Sequence, residues 1–116
     1  HARLAKATRV AVAAWGLENL CLNDDEFSNS TTAVMMPDGL DADELRLTIL
    51  DRFNMSLGMG LGKVKGKVFR IGHIGDFNDL MMAGTLSGVE MGLGIAGVPH
   101  NKGGVQAALE FLAQER

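Results

Sequence analysis

A single arginine inside an apolar segment is the residue best suited to chemistry. Val68, Phe69 and Ile71 favour a β-strand around Arg70. A permanent guanidinium on such a half-buried surface needs an anionic partner, and its planar fork matches a carboxylate. No acidic residue is adjacent in the sequence. Two interpretations follow: Arg70 binds an anionic ligand, or it pairs with a carboxylate elsewhere in the domain.

A glycine-rich segment, Gly-Met-Gly-Leu-Gly-Lys at 58–63, precedes this strand. It is not a phosphate-binding P-loop, because Val64 follows Lys63 where Ser or Thr is needed and Leu57 replaces the first glycine. It is not a dinucleotide fingerprint either, since Lys63 stands at the third glycine position and the segment leads into a strand. A tight-turn or flexible loop is the simplest interpretation.

Other potentially reactive residues predict no site. His73, Asp76 and Asp79 match no specific metal-ligand pattern, and Asp76 is better explained as a helix N-cap. The lone Cys21 excludes an intramolecular disulfide and a cysteine zinc cluster. It fits a reducing cytosol, so we expect a cytoplasmic protein without a metal.

Composition predicts one domain over residues 1–116. The chain has 11 basic and 14 acidic residues, a net charge of −3 and no long charged block, which disfavours nucleic acid or an anionic membrane as partner. Charged residues interrupt the first twenty positions, so no signal peptide is expected. The apolar stretch 80–98 contains Glu90 and is closed by Pro99, which favours a buried helix over a membrane span.

Periodicity, capping and turn residues predict alternating helices and strands. Asp41, with Glu44 three positions later, predicts a helix N-cap, and Pro37-Asp38-Gly39 predicts a turn. The expected elements are a helix over 4–20, a loop over 23–30, a strand over 31–36, a helix to Phe53 with Leu45 and Ile49 on its apolar side, a third strand over 54–57, a strand over 67–71, a helix from Gly75-Asp76 to 97 and a helix over 103–113. This order predicts an α+β fold, with helices packed on one side of a small antiparallel or mixed sheet.

Three side-chain patterns predict how these elements pack. Glycines recur every four residues in the long helix and would let another element approach closely. Methionines act as core fillers. The last helix carries an apolar stripe. The glycines of the long helix are Gly84, Gly88 and Gly92. The methionines are Met35, Met36, Met81, Met82 and Met91. The apolar stripe of the last helix consists of Val105, Leu109 and Leu112.

Several segments resemble the class V aminotransferases, with the serine–glyoxylate aminotransferases most alike. They are Asn-Met-Ser-Leu-Gly at 54–58, Gly-Lys-Val at 62–64, Gly-Lys-Val-Phe-Arg-Ile-Gly-His at 66–73, Gly-Val-Glu-Met at 88–91 and Ala-Gly-Val-Pro at 96–99. The resemblance runs over about residues 4–112, and 66–73 is its most specific part. It covers only the C-terminal small domain of these enzymes, which are dimers of fold type I and several times longer.

The resemblance implies an enzyme that uses pyridoxal 5′-phosphate to move an amino group from serine or alanine to glyoxylate. It implies that Arg70 binds the α-carboxylate of both substrates. It implies more weakly that Ser56, Gly58, Gly60, Gly62 and Lys63 lie near the mouth of the active site. The Schiff-base lysine and the aspartate that pairs with the pyridine nitrogen belong to the large domain, which this chain lacks.

Two expectations about the chain by itself follow. Without the large domain the isolated polypeptide is expected to be inactive. Its 47% hydrophobic content suits a domain cut from a larger body. The alternative function is a free-standing α+β domain, in which Arg70 and the glycine-rich segment hold a small carboxylate or a partner.

Overall fold

The computed structural model describes residues 2–19, 31–60, 65–72 and 78–114. Four helices and four strands are formed within these ranges. In chain order they are α1 (Ala2–Trp15), β1 (Glu18–Asn19), β2 (Thr31–Met35), α2 (Ala42–Phe53), β3 (Gly58–Met59), β4 (Val68–Gly72), α3 (Asp79–Ile95) and α4 (Gly104–Gln114). Among the described helices, none is long and apolar enough to cross a membrane.

The four strands form one antiparallel sheet in the order β1-β2-β4-β3. Strand β4 therefore has a neighbour on each side. Residues directly opposite one another in antiparallel strands point to the same face. The register sets Arg70 opposite Ala33 of β2 and opposite Gly58 of β3.

The helices cover one face of this sheet. Val34, Phe69 and Ile71 point into a core that also contains Trp15 and Leu45 from the helices. Because side chains alternate along a strand, Val68 and Arg70 point to the opposite face. The α+β class and a sheet with helices on one side are confirmed, and all described pairings are antiparallel.

Three predicted boundaries are wrong. Helix α1 stops at Trp15 rather than at residue 20, because Gly16 takes a left-handed conformation (φ 80°) and the chain enters β1. Asn54 is a left-handed C-cap of α2 (φ 53°), so the third strand begins at Gly58 and not over 54–57. Helix α3 begins at Asp79, where the side chain of Asn78 accepts a hydrogen bond from the Met81 amide at 2.9 Å.

The prediction of Asp76 as the cap of α3 is therefore wrong, since Asn78 is the N-cap. Asp76 and Gly75 lie outside the described residues, as do the predicted loop over 23–30 and Cys21. Asp41 is confirmed as the N-cap of α2, and its carboxylate accepts from the Asp43 amide at 2.8 Å. The predicted strands over 31–36 and 67–71 and the helix over 103–113 agree with β2, β4 and α4 within one residue.

Some of the packing predictions are confirmed and others are wrong, depending on whether a neighbouring element lies against the residue. Among the glycines, Gly88 contacts Met55 and Gly92 contacts Ile49 without room for a side chain, whereas Gly84 faces open space. Leu45 and Ile49 are buried as predicted, and Phe53 is packed against the core. Three residues predicted as core are exposed instead, because no described element covers them: Met81 (46%), Met91 (50%) and Leu109 (43%).

Candidate functional site

Arg70 lies in the middle of the sheet, on the face opposite the helical core. Its position follows from the strand itself, since Phe69 and Ile71 on either side are fully buried in the core. The guanidinium cannot turn inward without displacing one of them. Ala33 and Gly58 flank it across β2 and β3, and both side chains are minimal.

The guanidinium lacks a partner within the described chain. Its Nε is buried and donates no hydrogen bond to the described residues. Ion pairs there join Arg3 to Asp79 and Arg46 to Asp43, and none includes Arg70. The described residues thus give no support to pairing of Arg70 inside the domain. A buried donor without an acceptor costs about 1 to 3 kcal/mol, so the Nε of Arg70 requires an acceptor beyond the described residues.

The other predicted site residues lie at different distances from Arg70. Ser56 is exposed on the segment that leads into β3, and Gly60 is buried just after that strand. Gly58 belongs to β3 and directly contacts the Arg70 side chain. Gly62 and Lys63 lie outside the described residues. The structure therefore places Gly58 beside Arg70. Gly58 lies in the edge strand β3 and not in a loop.

Arg46 also contributes to this site, although its sequence position resembles that of an ordinary surface residue on a helix. Its Nε donates to the Leu57 carbonyl at 2.9 Å, and its Nη1 pairs with Asp43 at 3.0 Å. Leu57 immediately precedes β3 and is itself buried. Helix α2 therefore fixes the backbone at the start of β3, beside Arg70. No local sequence signal identifies this contact, since eleven residues separate its partners.

A second polar cluster joins three helices. One carboxylate oxygen of Glu90 accepts from the indole Nε1 of Trp15 at 2.6 Å and from the Val105 amide at 3.2 Å. Burial raises the pKa of Glu90. The hydrogen bonds and nearby His100 outweigh this effect, so that its pKa lies below the ordinary value of 4.5. The cluster links α1, α3 and the start of α4, and its role is structural.

The described lysines lie in settings unlike that of a Schiff-base lysine. A Schiff-base lysine is typically desolvated and enclosed. The described lysines are Lys6, Lys65, Lys67 and Lys102, and all four are exposed. What the described part of the chain offers at this site is a guanidinium on β4 whose Nε has no acceptor among the described residues.

Comparisons with known proteins connect this arrangement to enzymes. No protein-family model matches the chain. It is 52% identical over 113 residues to a serine–glyoxylate aminotransferase of Arabidopsis thaliana, covering 97% of the chain and 28% of that protein. It is 40% identical over 115 residues to an L-aspartate–glyoxylate aminotransferase of Paracoccus denitrificans, covering 98% of the chain and 29% of that protein.

A solved structure has the same fold over the whole chain. The crystal structure of pyridoxamine–pyruvate aminotransferase from Mesorhizobium loti matches with a TM-score of 0.91 and 34% identity, covering 100% of this chain and 30% of that one. The chain thus spans less than a third of the length of these relatives. It corresponds to a segment of such proteins.

Proposed function

Because this chain belongs to the class V aminotransferases, we propose that it is the C-terminal, substrate-binding domain of a pyridoxal-phosphate-dependent enzyme. It spans 28% to 30% of the length of the relatives compared above. The parent enzyme transfers an amino group from serine or alanine to glyoxylate. Serine has the strongest support, since the relative that is 52% identical is a serine–glyoxylate aminotransferase. The cytoplasmic location and the homodimer are part of the same proposal; the location rests on the lone Cys21, and the homodimer rests on the family resemblance.

The observation that carries the proposal is the buried Nε of Arg70, which has no hydrogen-bond partner among the described residues and lies on the sheet face opposite the helical core. A guanidinium binds a carboxylate through two parallel charge-assisted hydrogen bonds, which also fix its orientation. Amino acid and keto acid share the α-carboxylate, so one arginine serves both halves of a transamination. Lysine would supply charge without the fork.

The proposed role of this chain is to bind and orient the substrate. Pyridoxal phosphate supplies the electron sink for amino-group transfer when it is bound in the parent enzyme. Arg70 holds the carboxylate end, and its strand keeps the guanidinium in one place because Phe69 and Ile71 are locked in the core. The amino donor is left open by the described residues, since a relative named for aspartate matches this segment in sequence and one named for pyridoxamine matches it in fold.

Replacement of Arg70 in the full-length enzyme tests the proposal. Arg70→Ala removes two charge-assisted hydrogen bonds, and we expect kcat/KM for serine and for glyoxylate to fall by two to three orders of magnitude, about 3 to 4 kcal/mol. Absorbance of bound pyridoxal phosphate should be retained. Arg52→Ala removes an exposed arginine from α2 and serves as the control. Near-normal kinetics in Arg70→Ala would refute the role of Arg70.

A spectroscopic comparison separates the enzyme from a free-standing carboxylate-binding domain. The 116-residue chain and its full-length parent are each mixed with pyridoxal phosphate, then with serine and glyoxylate. We expect a band of bound cofactor, and turnover, in the parent only. If neither protein binds the cofactor, the function is that of a small-carboxylate-binding module.

A further inference from the structure

Gly58 leaves the space through which the Arg70 side chain runs. A Cβ atom at position 58 would lie 3.0 Å from Cβ of Arg70 and 3.7 Å from its Cγ and Cδ. Directly opposed Cβ atoms in antiparallel strands are ordinarily about 4.5 to 5.5 Å apart. Strand β3 thus lies so close to Arg70 that a side chain at position 58 would require neighbouring atoms to give way by a few tenths of an ångström. The stem of Arg70 passes over the bare backbone of Gly58.

Strand β3 cannot easily move away to accommodate a side chain. Leu57 next to it is 5% exposed, and its carbonyl is held by Arg46 at 2.9 Å. Two residues earlier, the Met55 side chain lies against Gly88 of α3. The backbone before Gly58 is therefore tied to two helices. An added methyl group at position 58 would displace Arg70 rather than the strand.

The opposite flank of Arg70 is also small. Ala33 of β2 is the residue directly across from Arg70 on that side. With Gly58 on one side and Ala33 on the other, the arginine occupies a slot whose width is set by two minimal side chains. A slot of this kind restricts the rotamers of the stem, and so limits where the guanidinium can be.

We infer that Gly58 is a positioning residue, which holds the Arg70 guanidinium in the orientation that binds the substrate carboxylate. This inference rests on the proposed function of Arg70. In this role Gly58 acts through Arg70 rather than through a contact with the substrate. The absence of a side chain at position 58 is thus a requirement for carboxylate recognition, beyond its effect on strand packing.

A double-mutant cycle in the full-length enzyme tests the inference. Gly58→Ala should lower kcat/KM for serine by about five- to tenfold, mainly through KM, because the Arg70 stem must give way by a few tenths of an ångström and a full 1 Å displacement costs about a hundredfold. In the Arg70→Ala background the same change should cost less than threefold, since no guanidinium remains to be displaced. Gly84→Ala, where a Cβ meets open space, is the matched control and should leave both constants unchanged.

A second measurement distinguishes positioning from general damage. Glycolate, which has a carboxylate, and glycolamide, its neutral amide, are compared as competitive inhibitors. Wild type should prefer glycolate, and Gly58→Ala should lose most of that preference while retaining its affinity for glycolamide. If Gly58→Ala does not fold, Ala33→Val narrows the slot from the other side and should produce the same loss of preference.

The outcomes separate the inference from the function on which it depends. Normal kinetics in Arg70→Ala would overturn the proposed function and the inference together. Impaired Arg70→Ala with nearly normal Gly58→Ala would overturn the inference alone. An equal cost of Gly58→Ala in both backgrounds, or unchanged preference for glycolate, would also overturn it, because Gly58 would then matter only for packing.

Discussion

Replacement of Glu90 should weaken the joint between three helices by an amount that its contacts determine. Trp15 is 1% exposed, and its indole N–H donates to Glu90. In Glu90→Ala this buried donor is left without its acceptor, at about 1 to 3 kcal/mol. Loss of the acceptor for Val105, in the first turn of α4, removes about 1 kcal/mol more. The free energy of unfolding should therefore fall by about 2 to 4 kcal/mol.

Glu90→Gln separates the acceptor from the charge. Its amide oxygen can still accept from Trp15, and charge-assisted hydrogen bonds are roughly twice as strong as neutral ones. We therefore expect a loss of about 1 kcal/mol, clearly smaller than that of Glu90→Ala. Glu110→Ala is the control, because Glu110 is exposed on α4 and bonds only Gln106 among the contacts described for it. It should change stability by less than about 0.5 kcal/mol.

Urea titration followed by tryptophan fluorescence measures these differences, since Trp15 is the sole tryptophan of the sequence. With an m-value of about 1.5 kcal/mol/M, Glu90→Ala should lower the transition midpoint by about 1.3 to 2.7 M. The reasoning is refuted if Glu90→Ala lies within about 0.5 kcal/mol of wild type. It is also refuted if Glu90→Gln is as damaging as Glu90→Ala.

Three further predictions concern the same packing. The pKa of Glu90 is lowered in the folded protein, so its ionised form stabilises the fold above about pH 4.5. This contribution disappears as pH falls through the folded-state pKa. The urea midpoints of wild type and Glu90→Gln should therefore converge in acid. Gly92→Ala should cost about 1 to 3 kcal/mol through collision with Ile49, while Gly84→Ala in the same helix should be neutral or stabilising by up to about 1 kcal/mol, as thermal melts would show. Asp79→Ala removes a bidentate partner of Arg3 at 2.6 Å and should lower stability by about 1 to 2 kcal/mol, less at high salt; an unchanged melting temperature would contradict this.

Some features of the fold were readable from local sequence. Asp41 was identified as a helix cap because it precedes a run with helical spacing, and its carboxylate can reach the second amide of that helix. The choice between Asp76 and Asn78 as the cap of α3 was not readable, because both residue types cap helices well. That helix begins where Asp79 meets Arg3 of α1, a contact across 76 positions of the chain.

Glycine spacing shows the same division. Gly84, Gly88 and Gly92 have identical spacing, and the spacing predicts close packing for all three. Only Gly88 and Gly92 lie against side chains, Met55 and Ile49 respectively. The periodicity identifies which residues share a helix face. It contains nothing about how much of that face a neighbouring element covers.

The sequence by itself determined the family resemblance and the α+β class and identified Arg70 as the candidate for binding an anion, because these depend on residue types and on short-range order. Tertiary structure alone decided which face Arg70 occupies and what surrounds it. Apolar residues occur at both 68 and 69, so alternation left the face ambiguous. Pairing with Gly58 and Ala33 depends on strands that meet through long-range contacts, and that pairing creates the slot around the guanidinium.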